Sequence, residues 1–66
     1  MKIILVDNFD RERPGLSDDV LIAEHVSEHY VETIVTALNA KFSPTPDADY
    51  FFEAVPDNYT LRKYAP

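Results

Sequence analysis

The first apolar run of the chain lies within residues 2–8, where Ile3, Ile4, Leu5 and Val6 follow one another. Side chains of a strand alternate between its two faces, so a continuous apolar run makes both faces apolar. This pattern is typical of a central strand that is covered on both sides. We therefore predict a strand over 2–8 in the middle of a sheet.

The next apolar segment, residues 20–26, allows two interpretations: the start of one long helix over 17–41, or a second strand with a separate helix after it. From residue 30 onward the apolar positions form one stripe at helical spacing. Its members are Tyr30, Val31, Ile34, Val35, Leu38 and Phe42. If the same helix is extended toward the N-terminus, Leu21 and Ile22 lie outside the stripe, on opposite sides of it. This mismatch favours a strand over 20–26.

The residues between these segments also favour a break. Ser27 is a good N-cap, and Val26 and Val31 then occupy the two positions of a hydrophobic staple. Glu28 in the first turn and Lys41 in the last turn suit the helix dipole. We predict a helix over 28–41.

Turn residues and aromatic residues predict the structure of the remaining segments. Residues 10–19 form a polar loop in which Pro14-Gly15 fits a type II turn. Pro44 and Pro46 cannot continue a helix, which predicts a loop over 43–49. An aromatic strand over 50–55 and a turn over 56–58 follow. The tail 59–64 is either a short edge strand or an extended arm.

These elements predict one α+β domain over 1–66 with the order ββαβ. Strands 1 and 2 form a hairpin, and the helix returns the chain so that strand 3 runs parallel to strand 2. Strand 1 is the most apolar strand and takes the central position. The expected fold is a three-stranded mixed sheet in the order 2-1-3 with one helix on one face.

Composition limits the classes of function. The 66 residues carry a formal charge of −6 and no cysteine. Phosphate backbones and anionic lipids are bound by clustered Lys and Arg, so we expect neither nucleic acid nor a membrane as partner. Apolar runs long enough for a secretory signal or a membrane span are absent, and the cytoplasm is the expected location. Disulfides and thiolate zinc sites are excluded.

One string resembles a metal-site motif. Residues 25–29 spell H-x-x-E-H, which in zinc proteases places two histidines on one face of one helix. Here the predicted start of the helix at Ser27 separates His25 from His29. The acidic residues of the first loop do not follow the alternate spacing of a calcium loop. We predict no metal, no cofactor and no catalytic residues.

A partner surface is expected on the sheet face opposite the helix. In strand 3, Phe51, Glu53 and Val55 share one face, and the charge of Glu53 indicates that this face points away from the helix. In strand 2, Val26 must contact the helix to form the staple, so Leu21 and His25 point to the outer face. Ile3/Leu5 and Ile4/Val6 remain alternatives for the outer face of strand 1. The predicted partner-binding residues are Leu21, His25, Phe51 and Val55. The alternative is that the tail 59–64 folds over this face and covers it.

The whole pattern resembles small ββαβ proteins of bacteriophages and mobile elements. The resemblance lies in residues 5–12, 37–39, 50–52 and 55–59. It implies a small protein that acts by binding a host protein. Our leading hypothesis is accordingly a protein-interaction module, an accessory protein or inhibitor, with a homodimer as a further form. The second hypothesis is an acidic nucleic-acid mimic that blocks a DNA- or RNA-binding protein. It would dissociate as salt rises, whereas an apolar interface would not.

The separated histidines predict that the fold does not depend on a metal. Thermal melts in EDTA and in added zinc should coincide, because no site would be emptied or filled. A shift of many degrees between the two melts would contradict the prediction.

Overall fold

The computed structural model describes residues 1–7 and 18–63, and it has the predicted order of elements. β1 spans Lys2–Asp7, β2 spans Val20–Ala23, α1 spans Glu28–Phe42 and β3 spans Tyr50–Val55. The ββαβ prediction is therefore confirmed, with a separate strand and helix in place of one long helix. Most of the first polar loop, including the predicted Pro14-Gly15 turn, lies outside the described residues.

The sheet has the predicted order β2-β1-β3. β1 pairs antiparallel with both neighbours. β2 and β3 run in the same direction, as expected, but β1 separates them. The sheet is consequently antiparallel throughout rather than mixed.

The central strand is buried on both faces. Ile3 lies under the helix, in a cluster with Val31 and Val35. Ile4 and Val6 belong to a second cluster on the opposite face. This division settles which set of β1 side chains faces the helix, and it explains why an uninterrupted apolar run is required at this position.

β2 is shorter than predicted, since it ends at Ala23 instead of residue 26. The pairing with β1 shifts register between Ile3 and Ile4. Such a bulge changes the alternation of side chains, so Ala23 packs toward the helix rather than on the outer face. His25 then adopts a left-handed backbone conformation, with φ of 59°.

The helix begins and ends as the sequence indicates. Ser27 is the N-cap, and its side chain accepts a hydrogen bond from the backbone N–H of His29 at 3.2 Å. Val26 packs against the helix-face cluster, as its role in the staple requires. Within the described ranges, no helix is both long enough and apolar enough to cross a membrane.

α1 is held over β3, whose outer edge it covers. The Asn39 side chain accepts from the Phe52 N–H at 2.7 Å and donates to the Phe52 carbonyl at 3.0 Å. One turn later the Ser43 hydroxyl donates to the Tyr50 carbonyl at 2.5 Å. Two side chains thus occupy backbone groups that an edge strand would otherwise expose.

Replacing the residue that covers this edge should destabilise the domain. We expect Asn39→Ala to lower the free energy of unfolding by about 1–3 kcal/mol, because two backbone groups of Phe52 lose their partner. Urea unfolding followed by circular dichroism measures the change. Glu32→Ala, at an exposed position of the same helix, is the matched control. Equal midpoints for the two variants would show that the amide contributes little.

Candidate interaction surfaces

The outer face of the sheet is covered by the C-terminal tail. Ile4, Val6 and Val55 form its buried cluster. Phe51 from β3 and two tail residues, Tyr59 and Leu61, pack against that cluster. The tail therefore covers this face, which was one of the two arrangements expected; the other was an open apolar patch. Residues 59–63 form an extended arm and not a strand.

A single buried carboxylate anchors the tail. Asp19 is 8% exposed. Its Oδ2 accepts from the Tyr59 hydroxyl at 2.6 Å and from the Arg62 N–H at 2.9 Å. The Asp19 N–H in turn donates to the Arg62 carbonyl at 2.9 Å. The Lys2 ammonium adds a bond of 3.3 Å to the Tyr59 carbonyl at the other end of the arm.

These contacts give Asp19 the hydrogen bonds that a buried carboxylate requires. They also change the pKa of Tyr59, which donates one of these hydrogen bonds. The hydrogen bond to Asp19 raises the pKa of the Tyr59 phenol above its usual value, and burial raises it further. Both effects favour the protonated phenol, which is the form that can donate to the carboxylate.

The four predicted partner residues have different surroundings. Val55 is only 6% exposed and Phe51 is half-buried against the cluster that the tail covers. Leu21 pairs with Ile4 across the strands and is 41% exposed, so it lies at the open margin of the outer face.

His25 is not part of that face. It is exposed and lies beyond the end of β2, near Asp57. The pKa of the Asp57 carboxyl is lowered mainly by a hydrogen bond from the N-terminal ammonium, and the charge of that ammonium lowers it further. The structure therefore brings Leu21, Phe51 and Val55 to one face and leaves His25 outside that face, beyond the end of β2.

Further exposed apolar side chains lie on β2 and α1, and of these only Leu21 was expected from the sequence. Val20, Leu21 and Ile22 are 41–48% exposed along β2, and Tyr30 and Ile34 are exposed on α1. We call these five residues together the β2–α1 surface; Leu21 lies at the margin of the outer face, whereas Tyr30 and Ile34 lie on the helix that covers the other face.

The position of the helix explains this exposure. Asn39 and Ser43 fix one flank of α1 at the outer edge of β3. Tyr30 and Ile34 occupy the opposite flank, because they lie about 140–180° from Asn39 at 100° per residue. The only sequence signal was the width of the stripe, which is too broad for one small sheet to cover.

The two histidines of the H-x-x-E-H string do not lie on one helix. Ser27 caps the helix between the two histidines, so His25 precedes the helix and His29 lies in its first turn. In the described part of the chain, no three His, Cys, Asp or Glu side chains are placed to hold a metal ion.

The fold is a small α+β domain in which one helix and one extended arm cover the two faces of a three-stranded antiparallel sheet. Comparisons with protein-family models, with curated proteins and with solved structures find no match to this chain.

The bond between Tyr59 and Asp19 predicts a specific alkaline sensitivity. The pKa of Tyr59 in the folded state lies above the unfolded value of 10.0. The contribution of this bond to stability is therefore present below about pH 10 and is lost as the pH rises through the folded-state pKa.

At pH 8 we expect Tyr59→Phe to be less stable than the native chain by about 1.5–3 kcal/mol, the usual range for a hydrogen bond to a charged group. Urea midpoints at pH 8 and pH 11 should show this difference shrinking at the higher pH. Tyr50→Phe, at an exposed position, corrects for general alkaline effects. A difference that is constant with pH would argue against the anchoring bond.

Proposed function

We propose that this protein is a small acidic protein-interaction module. In this proposal it acts in the cytoplasm as an accessory protein or inhibitor of the phage type, and it binds a host protein without catalysing a reaction. The observation that carries the proposal is the exposure of five large apolar side chains along β2 and on α1.

The energetics of exposure support binding. Full burial of a large aliphatic side chain contributes about 1.5–3 kcal/mol, so several half-exposed side chains retain much of that amount. Contiguous apolar patches on monomeric domains are usually limited to a few hundred Å². Tyr30 is 61% exposed, and tyrosine is one of the residue types that dominate interface energies.

The charge of the chain indicates the kind of partner. With a formal charge of −6, the protein is steered toward a target surface that carries Lys and Arg around an apolar centre. Electrostatic attraction then contributes mainly to the rate of association and to selectivity. The apolar residues of the β2–α1 surface contribute most of the affinity.

The proposal predicts that one tyrosine matters for binding and another does not. Tagged native protein should retain a host protein at moderate salt, and Tyr30→Glu should reduce the amount retained at least about tenfold, as expected for an interface anchor. Tyr50→Glu makes the same substitution at another exposed tyrosine, away from the β2–α1 surface, and should retain the same protein. Circular dichroism verifies that both variants fold.

Salt distinguishes this proposal from nucleic-acid mimicry. A complex held by apolar contacts should persist between about 50 and 500 mM salt, whereas a mimic of DNA phosphates should release its target over that range. Equal losses for both tyrosine variants, or release by salt alone, would contradict the proposed surface.

A further inference from the structure

We infer that the arm 59–63 is a strap that opens as a unit of its own while the sheet and α1 stay folded. Opening uncovers the cluster of Ile4, Val6 and Val55, so the arm controls access to the outer face of the sheet. The inference concerns a conformational step of the chain alone, and it does not depend on the binding of a host protein.

The sheet divides the apolar core into two clusters that share no side chain. Ile3 lies in the helix-face cluster, and among the described residues none that packs against this cluster belongs to the arm. Ile4 lies in the outer-face cluster, to which the arm supplies Tyr59 and Leu61. Removal of the arm therefore leaves the packing between the sheet and α1 as it is.

The hydrogen bonds that define the rest of the fold are also independent of the arm. β1 pairs with β2 and with β3. Asn39 and Ser43 hold α1 to β3. These contacts all persist when the arm leaves, so the open form keeps its sheet, its helix and one of its two clusters.

The arm itself is held mainly at one residue. The Tyr59 hydroxyl and the Arg62 N–H donate to the Asp19 carboxylate, and the Asp19 N–H donates to the Arg62 carbonyl. Since these three bonds meet at Asp19, they form and break together.

The remainder of the arm adds little that would resist opening. It has no regular secondary structure, and Thr60, Arg62 and Lys63 are exposed. A segment with few buried side chains opens at a lower free-energy cost than strands that are paired along their length. Because opening exposes apolar side chains, the open form is a minor population at equilibrium.

Single cysteines can detect this opening, because the chain has no cysteine of its own. Val6→Cys places a thiol in the outer-face cluster, and Val35→Cys places one in the helix-face cluster; both valines are buried. Under native conditions iodoacetamide modifies a buried thiol only when the structure around it opens. We expect the Val6→Cys variant to be modified at least about tenfold faster than the Val35→Cys variant.

Two further substitutions identify the segment that opens. Tyr59→Phe removes a bond of the closed arm and should speed modification of the Val6→Cys variant about 10- to 150-fold. Tyr50→Phe, at an exposed tyrosine, is the matched control and should leave that rate unchanged.

Asn39→Ala acts on contacts that persist in the open form. It should speed modification of the Val35→Cys variant about 5- to 150-fold, because that thiol is reached only by unfolding of the whole domain. The Val6→Cys variant should respond by a smaller factor. Urea should likewise accelerate the Val35→Cys variant more steeply, because the effect of urea scales with the surface exposed.

Equal rates for the two cysteine variants, or equal responses to Asn39→Ala and to urea, would overturn the inference, since the arm would then open only when the domain unfolds. Modification of the Val6→Cys variant that is unaffected by Tyr59→Phe would also overturn it, because another segment would be opening. Val55→Cys, in the same outer-face cluster, repeats the measurement if Val6→Cys does not fold.

Discussion

The outer half of the structure depends on the hydrogen bonds that the buried carboxylate of Asp19 accepts. This carboxylate accepts hydrogen bonds from the Tyr59 hydroxyl and the Arg62 N–H, and so holds the arm 59–63 across the sheet. A three-stranded sheet with one helix has one bare face, and a chain of 66 residues has little core to lose. The arm gives that face its own apolar cluster, so the stability of β1 depends on an element without regular secondary structure.

A second constraint fixes where the molecule stays exposed. The Asn39 amide binds Phe52 and positions α1 over β3. A single helix cannot cover both edges of the sheet, so β2 and the opposite helix flank remain open. The exposure of β2 and of this helix flank therefore follows from the contacts of Asn39 and Ser43 with β3 on the far side of the sheet.

Sequence by itself determined the element order, the central position of β1 and the start of the helix at Ser27. These features follow from local patterns: a continuous apolar run, a stripe at helical spacing and a capping residue. Residues 51–55 also alternate between the faces as their sequence indicates. Only the tertiary structure decided that β2 ends at Ala23 and that the tail covers Phe51 and Val55. Both outcomes rest on contacts between residues far apart in the chain: the shifted register between β1 and β2, and the bonds of Asp19 to Tyr59 and Arg62. Such contacts leave no periodic signal, because they join residues that lie far apart in the sequence and meet only when the sheet forms.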